Sequence, residues 1–339
     1  MKFRGLKVNH LVNPLGYDLR RPVFSFKVEE STGKYLKWGR IRVSDRENMS
    51  NIIYDSGNVE NINPLEFSPD YNFPMGKRYY WQVSGKADDG DEGVSRIEWF
   101  EGGLSDNDLG RYWITSELNN ELPNMYKEFR LDGSKDDIIS ARLYICVVGL
   151  YEAYINGKKA GDEYLTPFYN DYRYWLQYET YDVTESIGNG KNIIQILLGN
   201  GWYKGRFSYQ YGGVENIYGN RCMAAAKLVI SFKEGRSQII TTDDTWQYKK
   251  SSVAGGNIYD GEIYDACVDT DKEKGKSCKP VKEVNEYNAP VVERVSPPLK
   301  IQEKIINPKL IITPLGEQVL DFGQEISGWV EFDCKEERG

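Results

Sequence analysis

The sequence holds one histidine, His10, five cysteines without a CxxC pair, and nothing approaching the ~18 consecutive apolar residues of a membrane span. Each scarcity excludes some chemistry. A histidine-based triad, a histidine-rich metal site or an imidazole proton shuttle would have to be assembled from His10 alone, which reads as a surface residue ahead of a strand. The cysteines (Cys146, Cys222, Cys267, Cys278, Cys334) are odd in number and scattered, the pattern of reduced thiols rather than of a disulfide framework or zinc site. The opening residues Met1–Leu6 turn polar again at Lys7 with no apolar core, so no secretory signal is expected and a cytoplasmic location is. Positive charge is also short: the formal net charge of −8 repels phosphate backbones and anionic lipid, which argues against nucleic acid or a membrane as partner. A neutral sugar meets no such repulsion.

Aromatic residues and glycine are what the chain has in quantity, with 25 Tyr, 8 Trp and 33 Gly. Rings and β-branched side chains suit pleated, half-buried surfaces, and glycine serves tight turns, while helical periodicity is hard to find. The fold class is therefore all-β. At 339 residues the chain is too long for one ordinary core and long enough for two or three domains.

Three segments separate. Over residues 1–105, Pro22–Val28, Arg40–Ser44 and Tyr79–Val83 alternate apolar and polar, with Asp55-Ser56-Gly57 and Asp88-Asp89-Gly90 as turns between them. That pattern predicts a fibronectin-III or immunoglobulin-like sandwich. The glycine-rich stretch 102–108 reads as a hinge. Residues 106–290 carry about eight strand patterns, among them Ala141–Val147, Tyr151–Ile155, Gln177–Val183, Asn192–Leu198 and Ala224–Phe232, as in a jelly-roll sandwich. Asn156-Gly157 is a strong hairpin signal because both turn positions take positive φ. The charged stretch Lys272–Lys282 reads as an exposed linker, and Pro297-Pro298 breaks the chain again. Residues 291–339, with strand patterns at Lys309–Ile312 and Val319–Phe322, read as the truncated start of a third sandwich.

Six phrases carry a resemblance. They are Asn13-Pro14-Leu15-Gly16 leading to Arg21–Phe26; Gly149–Glu152 followed by Ile155–Lys158 and Gly161-Asp162; Tyr178–Thr184; Leu198–Arg206; Ile258–Ala266; and Leu320–Gln324 with Gly328-Trp329. Together and in this order they resemble bacterial α-L-rhamnosidases of glycoside hydrolase family 78. The resemblance implies a fibronectin-like module, a jelly-roll module related to galactose-binding folds, then another sandwich. In the family an (α/α)6 barrel follows and carries the carboxylates of an inverting hydrolysis, which needs an acid and a base roughly 6.5–9.5 Å apart. Those carboxylates belong beyond Gly339, so no catalytic position is carried onto this chain, and the chain alone is expected to be inert. No cofactor is required, and the missing barrel is the expected partner.

Two constellations stand out as candidate sites. Asn200, Trp202, Tyr203 and Arg206, ahead of the aromatic, glycine-rich loop 207–213, offer rings and polar groups of the kind a glycan needs. Asn156 joins them as a possible sugar contact, although turn geometry accounts for it by itself. By resemblance, the jelly-roll module is similar to modules that in some members hold rhamnose with calcium. Calcium wants six to eight hard oxygens, which Asn156, Asn200 and Asp171 supply only in part. The bland alternative is that Trp202 and Tyr203 pack a sandwich edge or an interdomain seam. Asp260, Glu262 and Asp265 gather three acids, read as an interdomain or structural cluster whose side chains meet backbone or basic groups.

Overall fold

The computed structural model describes residues 1–105, 109, 112–118, 122–207, 212–268, 272, 274–281, 289–333 and 335. The expected hinge at 102–108, the linker at 272–282 and the loop at 207–213 are described only in part, and Cys334 lies outside the described residues. The chain divides into two units, Met1–Leu299 and Lys300–Gly339.

Within the larger unit, the first sandwich grows from the alternation seen in the sequence. The strand Arg78–Ala87 buries every second residue, among them Tyr79, Trp81 and Val83. It pairs antiparallel with Leu36–Ser44, setting Trp81 opposite Val43 and Val83 opposite Ile41. The five-strand order is Leu15–Tyr17, Glu98–Gly102, Arg78–Ala87, Leu36–Ser44, Ile52–Asp55, and the pair Lys2–Val8 with Phe24–Glu29 forms a second, smaller sheet. Phe24 meets Trp81 at 4.7 Å between ring centres, and Phe73, Tyr79 and Phe100 complete an aromatic core. Full burial of such side chains stabilises by roughly 1.5–3 kcal/mol each.

The second sandwich packs a seven-strand layer on a six-strand layer. In one, Ile138–Val148 lies between Met223–Phe232 and Leu176–Asp182. In the other, Lys191–Gly199 lies between Leu150–Ile155 and Pro123–Arg130. Alternation is lost along Ala141–Val148, where every residue is buried. Leu143, Ile145 and Val147 face the core between the layers, while Tyr144, Cys146 and Val148 face a second apolar cluster with Leu104, Leu109, Tyr172 and Tyr178. A strand covered on both faces reads as a near-continuous apolar run. The strand Val291–Glu293 pairs parallel with Leu176–Tyr178. The second module therefore runs past the expected boundary at 290 to Leu299, because its edge strand needs this partner.

Four charged side chains join the sandwiches. Arg142 donates from Nε and Nη2 to Glu101 (2.6 and 3.0 Å), and Arg78 Nε donates to the same carboxylate (2.8 Å). Asp182 closes the ring, 2.9 Å from Arg142 Nη1 and 3.3 Å from Arg78 Nη2. Burial pushes the Asp182 carboxyl upward, but Thr184 and Arg142 hold it below the ordinary range. Beside the ring, Leu104 N–H donates to Tyr178 Oη (2.7 Å). Gly16, at φ +85°, sits so close to Thr180 that a Cβ would stand 2.4 Å from its Oγ1.

The unit from Lys300 holds one described hairpin, Lys309–Ile312 with Gln318–Asp321, and none of its described residues is buried.

Arg142→Ala is expected to cost about 3–5 kcal/mol in denaturant unfolding, the range for stripping one partner from a buried ion pair. Unfolding probes placed in the two sandwiches should then no longer coincide; an unchanged midpoint would show that the ring does not couple them.

Candidate functional site

The candidate glycan residues sit where Lys191–Gly199 ends and a single helical turn, Gly201–Lys204, begins. Gly201 takes φ +54° against Gly149 and Leu150, and a Cβ there would lie 2.7 Å from Leu150 Cγ, so the Gly-Asn-Gly phrase is a backbone requirement. The turn then aims Tyr203 inward and Trp202 outward. Tyr203 is 1% exposed with its ring 5.0 Å from Tyr172, and burial pushes its phenol up to about 12. Tyr203 is core.

Trp202 is half-buried and forms part of an aromatic rim. Phe168 and Tyr169 approach it edge-on at 5.4 and 6.1 Å, and Tyr169 stacks on Phe207 at 6.2 Å with an interplanar angle of 18°. Tyr169 and Tyr218 share a hydroxyl hydrogen bond of 2.8 Å. Phe168 and Tyr169 are 41% and 36% exposed. Sequence reasoning missed both residues, although the aromatic cluster Phe168-Tyr169 just ahead of a strand pattern was a usable signal.

Behind the rim runs a polar relay. Asn200 Nδ2 donates to Asn257 Oδ1 (3.0 Å), Asn257 Nδ2 donates to Asp260 Oδ2 (3.2 Å), and Arg206 Nη2 donates to Asp260 Oδ1 (2.6 Å). Arg206 also donates to the Gly212 carbonyl and lies 5.4 Å from the Tyr259 ring centre. The Arg206 hydrogen bond holds the Asp260 carboxyl below its usual range. The relay ties the short turn to the hairpin Val253–Asn257 with Gly261–Tyr264. Asn200 Oδ1 is buried with no hydrogen-bond partner.

The structure does not bring Asn156 into this group. Asn156 (φ 52°) and Gly157 (φ 78°) turn the hairpin between Leu150–Ile155 and Lys158–Lys159. The Asn156 side chain donates to Ser186 O and Asn192 Oδ1 and accepts from Ile193 N–H. Of the three acids, only Asp260 joins the relay. Glu262 lies exposed on the hairpin, and Asp265 accepts from Cys267 N–H in a local turn.

These oxygens meet the needs of calcium only in part. Asn156 is spent on its turn and Asp171 is held by Arg173 Nε at 3.0 Å, whereas Asn200 bonds Asn257 through its nitrogen and leaves one oxygen over, against the six to eight that calcium takes. Among the described residues no three His, Cys, Asp or Glu side chains group as a metal site. Glu163 and Glu179 converge on Arg294 Nη1 at 2.9 and 2.7 Å but are sealed at 11% and 1% exposure.

Fold and site together define a two-sandwich β-protein with an aromatic rim on its second module. Residues 3–106 match a family described as the Rha78A-like N-terminal immunoglobulin domain, and residues 136–303 match the alpha-L-rhamnosidase N-terminal domain. An alpha-L-rhamnosidase of Formosa agariphila is 26% identical over the whole of this chain and 40% of its own length. One from Streptomyces avermitilis is 31% identical over 68% of this chain and 22% of its own. The crystal structure of native α-L-rhamnosidase from Aspergillus terreus superposes with a TM-score of 0.79 at 25% identity, covering 95% of this chain and 38% of that one. The chain belongs to the family of alpha-L-rhamnosidase N-terminal domains, preceded by the Rha78A-like immunoglobulin domain. It spans 40% of the first of these curated relatives and 22% of the second.

Asn156→Ala should lower stability by about 1–2 kcal/mol through the strained φ and lost hydrogen bonds. Any sugar affinity should stay unchanged; loss of affinity with stability intact would return Asn156 to the site.

Proposed function

We propose that this chain is the non-catalytic N-terminal part of an α-L-rhamnosidase that removes terminal, non-reducing L-rhamnose with inversion, and that it braces a catalytic (α/α)6 barrel. The observation that carries this reading is the pair of N-terminal family domains in a chain well under half the length of its relatives. Inverting hydrolysis needs an acid and a base with room for water between them, roughly 6.5–9.5 Å apart. Glu163 and Glu179 are clamped on one guanidinium and Glu101 and Asp182 on two, which supports an inert fragment. The exposed acid Glu262 and the exposed apolar side chains of Ile263 and Tyr264 beside it make the hairpin Val253–Tyr264 a suitable contact for that barrel. We place the protein in a reducing, cytoplasmic setting; its free thiols at Cys146, Cys222, Cys267 and Cys278 support this.

A second reading is favoured by the aromatic rim. Trp202, Tyr169 and Phe168 present ring faces and edges to solvent beside the Tyr169–Tyr218 hydroxyl pair, a surface suited to the apolar face of a rhamnosyl unit. Binding there would be independent of calcium, since Asn156 and Asp171 are committed to protein partners and Asn200 Oδ1 is a single oxygen where calcium takes six to eight.

The purified chain should release no chromophore from a chromogenic α-L-rhamnoside, and turnover would overturn the scaffold reading. Calorimetry with millimolar L-rhamnose separates the second reading. Heat that Trp202→Ala and Tyr169→Ala abolish, and that calcium and chelator leave unchanged, supports a rim site; no heat leaves a scaffold alone.

A further inference from the structure

A buried cluster at the edge of the second sandwich sets two carboxylates against one guanidinium. The parallel pairing of Val291–Glu293 with Leu176–Tyr178 sets Arg294 beside Glu179, and the loop after the Asn156 hairpin brings Glu163 to the same place. Arg294 Nη1 lies 2.7 Å from Glu179 Oε2 and 2.9 Å from Glu163 Oε1. The three side chains are 7%, 1% and 11% exposed. Glu179 Oε1, Glu163 Oε2 and Arg294 Nε are each buried with no hydrogen-bond partner.

Two carboxylates against one guanidinium leave a net negative charge in a place largely closed to bulk solvent. An uncompensated buried charge costs several kcal/mol, and the usual escape is to take up a proton. Among the described residues, Arg294 is the cation that acts on Glu179. From the first sandwich comes Tyr17, whose hydroxyl donates to Ser296 O at 3.3 Å. From the strands packed around Glu179 come Tyr151 and Tyr181, bonded to each other at 2.9 Å, and the thiol of Cys146. All four are held neutral: burial pushes Tyr17 up to about 12 and raises Tyr151, Tyr181 and Cys146 further.

We propose that this cluster carries one proton at neutral pH, held by Glu179, and that losing it to solvent in alkali loosens the loop 161–175 and the segment 291–296. The bound proton gives an orphaned carboxyl oxygen a hydrogen to donate and makes the triad electrically neutral. Its loss returns an unpaired negative charge to a sealed site that also touches the first sandwich through Tyr17. The latch is therefore a pH-sensitive fastening of the second sandwich's edge.

The direction of the electrostatics agrees. Burial pushes the Glu179 carboxyl up to about 8, Arg294 pulls it down, and Glu163 pushes it up again. An unfolded glutamic acid loses its proton near pH ~4.3. The folded chain thus binds the extra proton between these values, and stability falls as pH rises through them. Asp18, Asp55, Asp182 and Asp243 are held below the ordinary carboxylate range, so their contribution disappears in acid and leaves this window to the cluster.

Denaturant titrations on wild type and Glu179→Gln, which keeps the shape and the neutral state, test this. Between about pH 5.5 and 8.5 the wild-type folding constant should fall by on the order of tenfold to a hundredfold, and that of Glu179→Gln should stay level. Parallel slopes for the two proteins would overturn the proposal. Infrared difference spectra of the wild type provide the second readout should the variant fail to fold. A protonated-carboxyl stretch present near pH ~6 and absent near pH ~9.5 supports the latch, and its absence at both overturns it. Hydrogen-exchange protection should drop over the same range in 161–175 and 291–296; a uniform drop across the chain overturns the local attachment.

Discussion

A closed ring of two guanidiniums and two carboxylates fixes how the two sandwiches meet. Arg78 and Glu101 come from the first, Arg142 and Asp182 from the second, and each acid touches both bases. Alternating charge makes the ring neutral, so Arg142 and Glu101 are buried without a leftover charge while Arg78 and Asp182 reach toward solvent, and the Thr184 hydroxyl bonds both Arg142 and Asp182. Such rings are weak sources of net stability because desolvation offsets attraction. Their strength is geometric: only one docking angle satisfies all members. That angle brings Gly16 onto Thr180 and Leu104 N–H onto Tyr178 Oη, contacts that tolerate almost no displacement.

Much of what the family phrases encode follows from this seam. Asn13 turns at φ 47° and its side chain accepts from Trp99 N–H, placing Leu15–Tyr17 beside Glu98–Gly102. In Tyr178–Thr184, Tyr178 receives the linker's Leu104, Glu179 joins the buried triad, and Asp182 with Thr184 completes the ring. Residues that look like ligand groups in a linear string are, in the fold, fasteners between modules.

The same competition between packing and binding settles the helical turn after Lys191–Gly199. Tyr203 is drawn into the aromatic cluster with Tyr172, and Arg206 is taken up by Asp260, Gly212 and Tyr259. Trp202 alone of the expected group keeps an open edge, and it does so next to rings from a loop far away in the chain. A glycan surface, if it operates, is thus built from the loop 161–175 as much as from the turn.

The sequence by itself determined what depends on local periodicity. Strand alternation at Arg78–Ala87 and Lys191–Gly199 announced half-buried faces, Asn156-Gly157 announced its hairpin, and one imidazole excluded whole classes of chemistry, because these follow from side-chain spacing and turn sterics along a few residues. Only the tertiary structure decided the remainder. That Val291–Glu293 completes the second sandwich, that Glu163, Glu179 and Arg294 share one buried place, and that Phe168 and Tyr169 flank Trp202 all rest on contacts between residues far apart in the chain. Charge and aromaticity are visible in a sequence; whether a charge is paired, and which face of a ring is covered, depends on what the fold carries back to it.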